Sequence, residues 1–305
     1  MSGPRDRVVI VTGAAAGIGR ATALRFAAEG SRVAAFDVDE AKGRPLAAEL
    51  DGAGGQGHFA RVDVADARSV EAGVAGVVER WGRIDVLVNN AGILRDRMIF
   101  NMAEEEFDLV VRVHLKGTFN CSRHAARHMR EQKSGRIISM TSTSGLYGNS
   151  GQANYGAAKD GIAGFTRVVS RELGKYSINV NAIAPAAATR MTATVSDSAR
   201  QARAARGIAS MGDKARALLP RAQREAEDIA PFAVYLASPA AANINGQIFV
   251  VMGGIISLVN YPAPVRTITS ARGWTPEEIA ALFPSTLGMD LFNPAPAQTA
   301  AEVKS

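Results

Sequence analysis

Val8-Val9-Ile10-Val11-Thr12-Gly13-Ala14-Ala15-Ala16-Gly17-Ile18-Gly19 is the stretch that decides the fold. A β-branched run of strand length enters a turn with three glycines, and a helical segment, Ala21–Glu29, follows. Glycines let the backbone turn sharply and come close to an anion. The helix start then offers unpaired N–H groups and a partial positive charge. This strand–turn–helix reads as a pyrophosphate cradle. The competing reading is a Gly-rich turn needed only for packing. The position directly after the first strand weighs against it.

Working outward, short apolar runs recur at Val33–Phe36, Phe59–Val62, Val86–Val88, Ile137–Met140, Ile178–Ile183 and Ile248–Val251. Helical segments such as Ala65–Trp81 and Tyr155–Gly174 separate most of them. Strand alternating with helix predicts βαβ units and a parallel sheet. Strands with almost no polar positions predict a sheet covered on both faces. The expected fold is therefore α/β, a doubly wound central parallel sheet flanked by helices. No linker or repeat divides residues 1–258, which read as one domain, with 259–305 as a C-terminal extension. A stretch at about 190–226 is too long for an ordinary connection and reads as a lid. In the Pro-punctuated tail a helix is expected from Thr275 to Phe283, with Thr275 as N-cap and Pro276 in the first helical position. The last ten residues read as disordered.

The bulk composition sets limits. The chain has 305 residues, 47% hydrophobic and 21% charged, with a formal net charge of +6. Its one cysteine, Cys121, allows no internal disulfide. Arg5 and Arg7 precede too short an apolar run for a signal peptide. The longest mostly apolar stretch, Ile248–Val259, is about half the ~20 residues of a spanning helix. A soluble, cytoplasmic protein with no membrane partner is expected. The basic balance alone suggests nucleic acid, but no reader motif supports that.

The second strand ends in Phe36-Asp37, about 20 residues after the glycine loop. An acid there accepts hydrogen bonds from ribose hydroxyls and repels a 2′-phosphate. No Lys or Arg lies among Ala14–Ala16 or directly after Asp37. NAD is thus expected over NADP. Asp39 is a nearby competitor for the same role, and Asp37 could simply end a strand.

Tyr155 and Lys159 are four apart on one helix face. An ammonium beside a phenol favours the phenolate and so suits it to move a proton to or from an alcohol oxygen. Ser142, just past a strand end, can hydrogen-bond that same oxygen. Tyr-x-x-x-Lys alone recurs by chance on surface helices, so the ordered set carries the reading.

Together, Thr12–Gly19, Asn89-Asn90-Ala91-Gly92, Ser142 and Tyr155-Gly156-Ala157-Ala158-Lys159 resemble the classical short-chain dehydrogenases/reductases over about residues 5–258. The resemblance implies a Rossmann domain holding cofactor and substrate together. It implies that Gly13, Gly17, Ile18 and Gly19 face the pyrophosphate and that Asp63 and Val64 hold the adenine. Asn90, Ala91 and Gly92 would border the cofactor, and Lys159 would also hold the nicotinamide ribose. Pro185 would begin the loop over the nicotinamide, with Thr189 reaching its amide. A homodimer or homotetramer is also implied.

Two positions depart from the family pattern. Val113-His114-Leu115-Lys116-Gly117 stands where an Asn usually anchors a water behind the lysine. His114 is a candidate for that place, through its ring or its backbone carbonyl. Pro185-Ala186 replaces the usual Pro-Gly. The His, Gly148–Tyr155 and Arg190-Met191-Thr192 are similar to the (3R)-hydroxyacyl-CoA dehydrogenase domain of the peroxisomal multifunctional β-oxidation enzyme. That branch implies a 3-hydroxyacyl thioester substrate.

The positive charge is concentrated. Arg190, Arg200, Arg203, Arg206, Lys214, Arg216, Arg221 and Arg224 face only Asp197 and Asp213, a local excess of six. A basic lid suits an anionic acyl-CoA. A solvated helix face is the bland alternative. His124 and His128 are four apart without a third ligand of suitable spacing, so a surface or subunit-contact role is expected and no metal. The leading reading is an NAD(H)-dependent oxidoreductase interconverting a secondary alcohol and a ketone. The alternatives are a steroid or terpenoid alcohol as substrate, and a catalytically silent cofactor-binding regulator.

Overall fold

The computed structural model describes residues 6–186, 225–291 and 293. Strand β1 (Val8–Thr12) leads into α1 (Gly17–Ala28), then β2 (Arg32–Asp37), α2 (Glu40–Gly52), β3 (Gln56–Arg61), α3 (Ala67–Trp81) and β4 (Val86–Asn89). Next come α4 (Glu104–Val111), a π-helical turn (Arg112–Lys116) and α5 (Gly117–Gln132). The chain continues through β5 (Gly135–Met140), α6 (Thr143–Tyr147), α7 (Ala153–Leu173) and β6 (Ile178–Pro185). The described residues end with α8 (Ala230–Ala237), β7 (Ile248–Met252), β8 (Ile255–Leu258) and α9 (Pro276–Leu282).

The strands form one sheet in the order β3-β2-β1-β4-β5-β6-β7-β8. Every pairing is parallel except the last, between β7 and β8. β1 pairs on one side with β2 and on the other with β4, so the chain reverses its direction of winding there. A crevice at the carboxyl ends of such strands is where open α/β sheets bind ligands.

Most strand positions are apolar because both faces of the sheet are covered, and buried Asn179 and Asn181 in β6 donate to the Ala242 and Ile244 carbonyls. Val9 and Val11 pack on one side with Phe26, Leu46, Leu50 and Leu236. Val8 and Ile10 pack on the other with Val70, Val77, Ala125 and Met129. All five β1 residues are buried. Truncating one such side chain, as in Ile10→Ala, costs about 2–5 kcal/mol.

The apolar stretch Ile248–Val259 holds the expected strand at Ile248–Val251 and a second strand after it. It folds back as the β7–β8 hairpin, with Met252 opposite Ile255 and Gly253 at φ +53° in the turn. β3 begins three residues before its predicted start, at Gln56. It is an edge strand only partly buried, so its alternating residues carry a weaker apolar signal. α7 begins two residues early, at Ala153, and places Tyr155 in its first turn. His124 is buried and not on the surface, and burial is the first cause lowering its pKa.

By its contacts the chain divides into a larger unit holding β1 to β8 and a smaller one that takes in the residues from Asn260 onward. In the smaller unit, Thr275 caps α9 as expected. Glu278 N–H donates to Thr275 Oγ1 (3.2 Å), and Thr275 N–H donates to Glu278 Oε2 (3.1 Å). No helix among the described residues is long and apolar enough to cross a membrane. Thr189, almost all of the segment at about 190–226, and the last ten residues lie outside the described residues.

Candidate active site

The glycine loop is built against the end of β4. Gly13 and Gly17 have φ values of +65° and +55°, a region other L-residues rarely adopt. A Cβ on Gly13 would lie 2.7 Å from Ala91 Cα, and one on Gly19 would lie 2.1 Å from the Gly13 oxygen. A Cβ on Gly17 would project into open space beside the α1 N-terminus. That terminus has no side-chain cap and no acid in its first turn. It therefore suits an anion, and the loop fits a pyrophosphate.

Thr12, buried at the end of β1, joins this loop to the next segment. Asn90 N–H and Ala91 N–H both donate to Thr12 Oγ1 (2.9 and 3.0 Å). Asn90 Nδ2 donates to the Thr12 and Gly13 carbonyls (3.0 and 3.2 Å). Sequence reasoning quoted Thr12 within the loop and gave it no role. Its polar side chain closing an apolar strand was the available signal.

Asp37 lies beside the cradle. Ala15 N–H donates to its Oδ2 (2.9 Å) and Asp39 N–H to its Oδ1 (3.0 Å). Three cations near this end of the sheet are engaged elsewhere: Lys42 with Asp39, and Arg44 and Arg61 with Glu40. Val62 N–H donates to the Asp37 carbonyl (3.0 Å), which brings the Asp63-Val64 segment alongside. Asn120 Nδ2 donates to the Val64 carbonyl (2.8 Å), fixing that segment to α5. Pro185 is the last residue of β6, and Ala186 N–H donates to the Val251 carbonyl (2.9 Å).

Ser142, Tyr155 and Lys159 meet at the ends of β5 and α7. Ser142 is the N-cap of α6, with Ser144 N–H donating to its Oγ (3.1 Å). Lys159 Nζ donates to the Met140 carbonyl (2.5 Å) and lies 5.6 Å from the Tyr155 ring centroid. Thr141 Oγ1 donates to the Lys159 carbonyl (2.6 Å), anchoring α7 to the β5 end.

The electrostatics differ from the sequence expectation. Burial pushes the Tyr155 phenol up; a hydrogen bond with Ser142 pulls it down, and the Asp96 charge pushes it up further. Burial brings Lys159 down to about 7.

Two loops close around this cluster. Asn154, fully buried, donates through Nδ2 to the Arg95 and Glu106 carbonyls (2.9 and 3.3 Å), while Tyr155 N–H donates to its Oδ1 (2.7 Å). Gln152 Nε2 donates to Asp96 Oδ2 (2.9 Å), and Arg97 N–H to the Gly151 carbonyl (2.9 Å). Sequence reasoning assigned Asp96 no role. Its proximity to Tyr155 depends on the chain closing across more than fifty residues, which no local pattern reports.

The family model for "short chain dehydrogenase" matches residues 7–201. The chain is a member of that family. This dehydrogenase is similar to a crystal structure of a short chain dehydrogenase from Mycobacterium avium, with TM-score 0.80 and 38% identity over 97% of this chain and 99% of that one. It is 37% identical over 289 residues to the hydroxyacyl-CoA dehydrogenase ChsB1 of Mycobacterium tuberculosis, covering 90% of this chain and 86% of that protein. It is 39% identical over 287 residues to the peroxisomal multifunctional enzyme type 2 of Mus musculus, covering 90% of this chain and 35% of that protein. The resemblance read from the sequence is thus borne out, including its peroxisomal branch. The dehydrogenase is an oxidoreductase that interconverts a CH–OH group and a ketone on a small molecule, using a nicotinamide dinucleotide.

Proposed function

We propose that this enzyme is an NAD(H)-dependent dehydrogenase of 3-hydroxyacyl thioesters, with Ser142, Tyr155 and Lys159 as its catalytic residues. The observation that carries the reading is the meeting of these three groups in one buried cluster at the sheet's carboxyl edge. When bound, the dinucleotide supplies the acceptor or the donor of the hydride. The Tyr155 oxygen takes the proton of the substrate alcohol, or returns it to the ketone oxygen. Ser142 Oγ–H donates to that same substrate oxygen as it develops carbonyl character. Lys159 in its charged form favours the phenolate by proximity.

Gly13, Gly17, Ile18 and Gly19 would hold the pyrophosphate, Asp37 the adenosine ribose, and Asp63 and Val64 the adenine. Asn90, Ala91, Gly92 and Pro185 would line the nicotinamide side, with Lys159 on its ribose and Thr189 on its amide. NAD over NADP is supported by the Asp37 carboxylate and by the pairing of Lys42, Arg44 and Arg61 with acids. The thioester is supported by the basic excess at residues 190–224 and by the name of the hydroxyacyl-CoA dehydrogenase relative above. Phe107, Phe119 and Val168, exposed on three neighbouring helices, support a homo-oligomer.

A substrate panel with NAD and NADP tests the reading. A 3-hydroxyacyl-CoA should exceed its pantetheine analogue in kcat/KM, with the advantage shrinking in salt. Equal, salt-insensitive values would remove the CoA assignment. Faster turnover of a cyclic alcohol would redirect the assignment to steroids or terpenoids.

A further inference from the structure

His114 stands on the π-helical turn between α4 and α5 and is 2% exposed. Its ring is held on three sides. Nε2 lies 2.7 Å from the Ile93 carbonyl oxygen and 3.0 Å from the Ile93 nitrogen. The ring stands edge to face with Tyr155, 5.2 Å between centroids and 84° between planes. The remaining edge rests on Gly92, where a Cβ would lie 2.1 Å from Cε1 and 2.8 Å from Nδ1.

Gly92 does not need to be glycine for its backbone, because it is not among the glycines with positive φ. It needs to be glycine for space. An atom at 2.1 Å must displace the ring, and the ring is fixed on its other sides. In a close-packed interior such a displacement spreads to the neighbours. Here the neighbours are the Asn90–Ile93 segment, tied to the glycine loop through Thr12, and the Tyr155 ring.

We propose that His114 is a neutral strut, paired with Gly92, that sets the position of the Asn90–Ile93 segment relative to the Tyr155 ring and relays no proton. The proposal rests on the reading of the site given above. A ring that passes a proton must offer both nitrogens to exchanging partners. In His114, Nε2 is engaged with Ile93, and Nδ1 is buried with no hydrogen-bond partner among the described residues to exchange a proton with. Burial, assisted by the Lys159 charge, also holds the His114 pKa at about 3.

The test is a double-variant cycle of Gly92→Ala, His114→Ala and the pair. It is read by Tm without dinucleotide, by NADH binding from fluorescence, and by the pH profile of kcat/KM. Overpacking should make Gly92→Ala lose about 3 °C or more in Tm and about tenfold in NADH affinity. In the pair the methyl occupies space the ring has left. Its NADH Kd and its Tm should then both return to those of His114→Ala alone. If Gly92→Ala yields no folded protein, recovery of folded protein in the pair is the expected result. Additive losses in the pair overturn the strut, as does a shift of the pH profile in His114→Ala. The Tm cycle is independent of the catalytic assignment because it needs no turnover, and a wild type without turnover would overturn the site instead.

Discussion

Lys159 Nζ sits 5.6 Å from the centre of the Tyr155 ring, anchored on the Met140 carbonyl, with its pKa brought by burial to about 7. As the pH rises above about 7 the free enzyme therefore holds an increasingly uncharged lysine beside a phenol that burial keeps protonated. The proton needed for ketone reduction is in place. The base needed for alcohol oxidation is formed only as the pH rises. The expected result is that kcat/KM for oxidation climbs between about pH 7 and pH 10, while that for reduction does not. A pH–rate profile in each direction checks this, and an oxidation rate that falls over the window would contradict it.

Asp96 pushes the Tyr155 phenol up through its charge. Asp96→Asn keeps an oxygen for Gln152 Nε2 to donate to, but removes the charge. The oxidation profile should move to lower pH, with little change in its plateau. An unshifted profile with a reduced plateau would assign Asp96 a purely structural part.

Asp37 joins the glycine loop to the end of β2 through Ala15 and Asp39. Asp37→Ala should weaken NAD binding by about tenfold or more, the worth of hydrogen bonds to a charged group. NADP binding should lose less or improve, because the repulsion of a 2′-phosphate is gone. Titration with both dinucleotides measures the ratio, and an unchanged preference would remove Asp37 from the selectivity.

His114 also makes a thermodynamic prediction. Its pKa of about 3 in the folded protein lies below its ordinary 6.5. The unfolded chain therefore binds the additional proton between these values. Stability should rise with pH through that window and be lost as pH falls from about 6.5 toward 3. The loss attributable to His114 is on the order of 4 kcal/mol. Denaturant unfolding of wild type and His114→Asn across the window should show a shallower slope in the variant. Parallel slopes would contradict it.

Much of this molecule was legible in its sequence, for physical reasons that differ by element. β1, β2, β4 and β5 were found because strands buried on both faces are mostly apolar, and β6 despite its buried Asn179 and Asn181. The Tyr155–Lys159 pair was found because a four-residue spacing fixes a helix face. β8 was missed because one continuous apolar run conceals a hairpin whose only sign is Gly253-Gly254. The direction of the Tyr155 shift was missed because the spacing reports the lysine and says nothing of burial. Asp96 and the Gly92–His114 contact were missed because each joins segments distant in the chain.

The most direct measurement is the rate of nicotinamide reduction with NAD and a 3-hydroxyacyl-CoA in wild type and Tyr155→Phe. Phenylalanine keeps the ring against His114 and removes only the hydroxyl. The account predicts a loss of about 10²–10⁴-fold in kcat with NADH binding unchanged. A Tyr155→Phe enzyme that keeps its rate would contradict it.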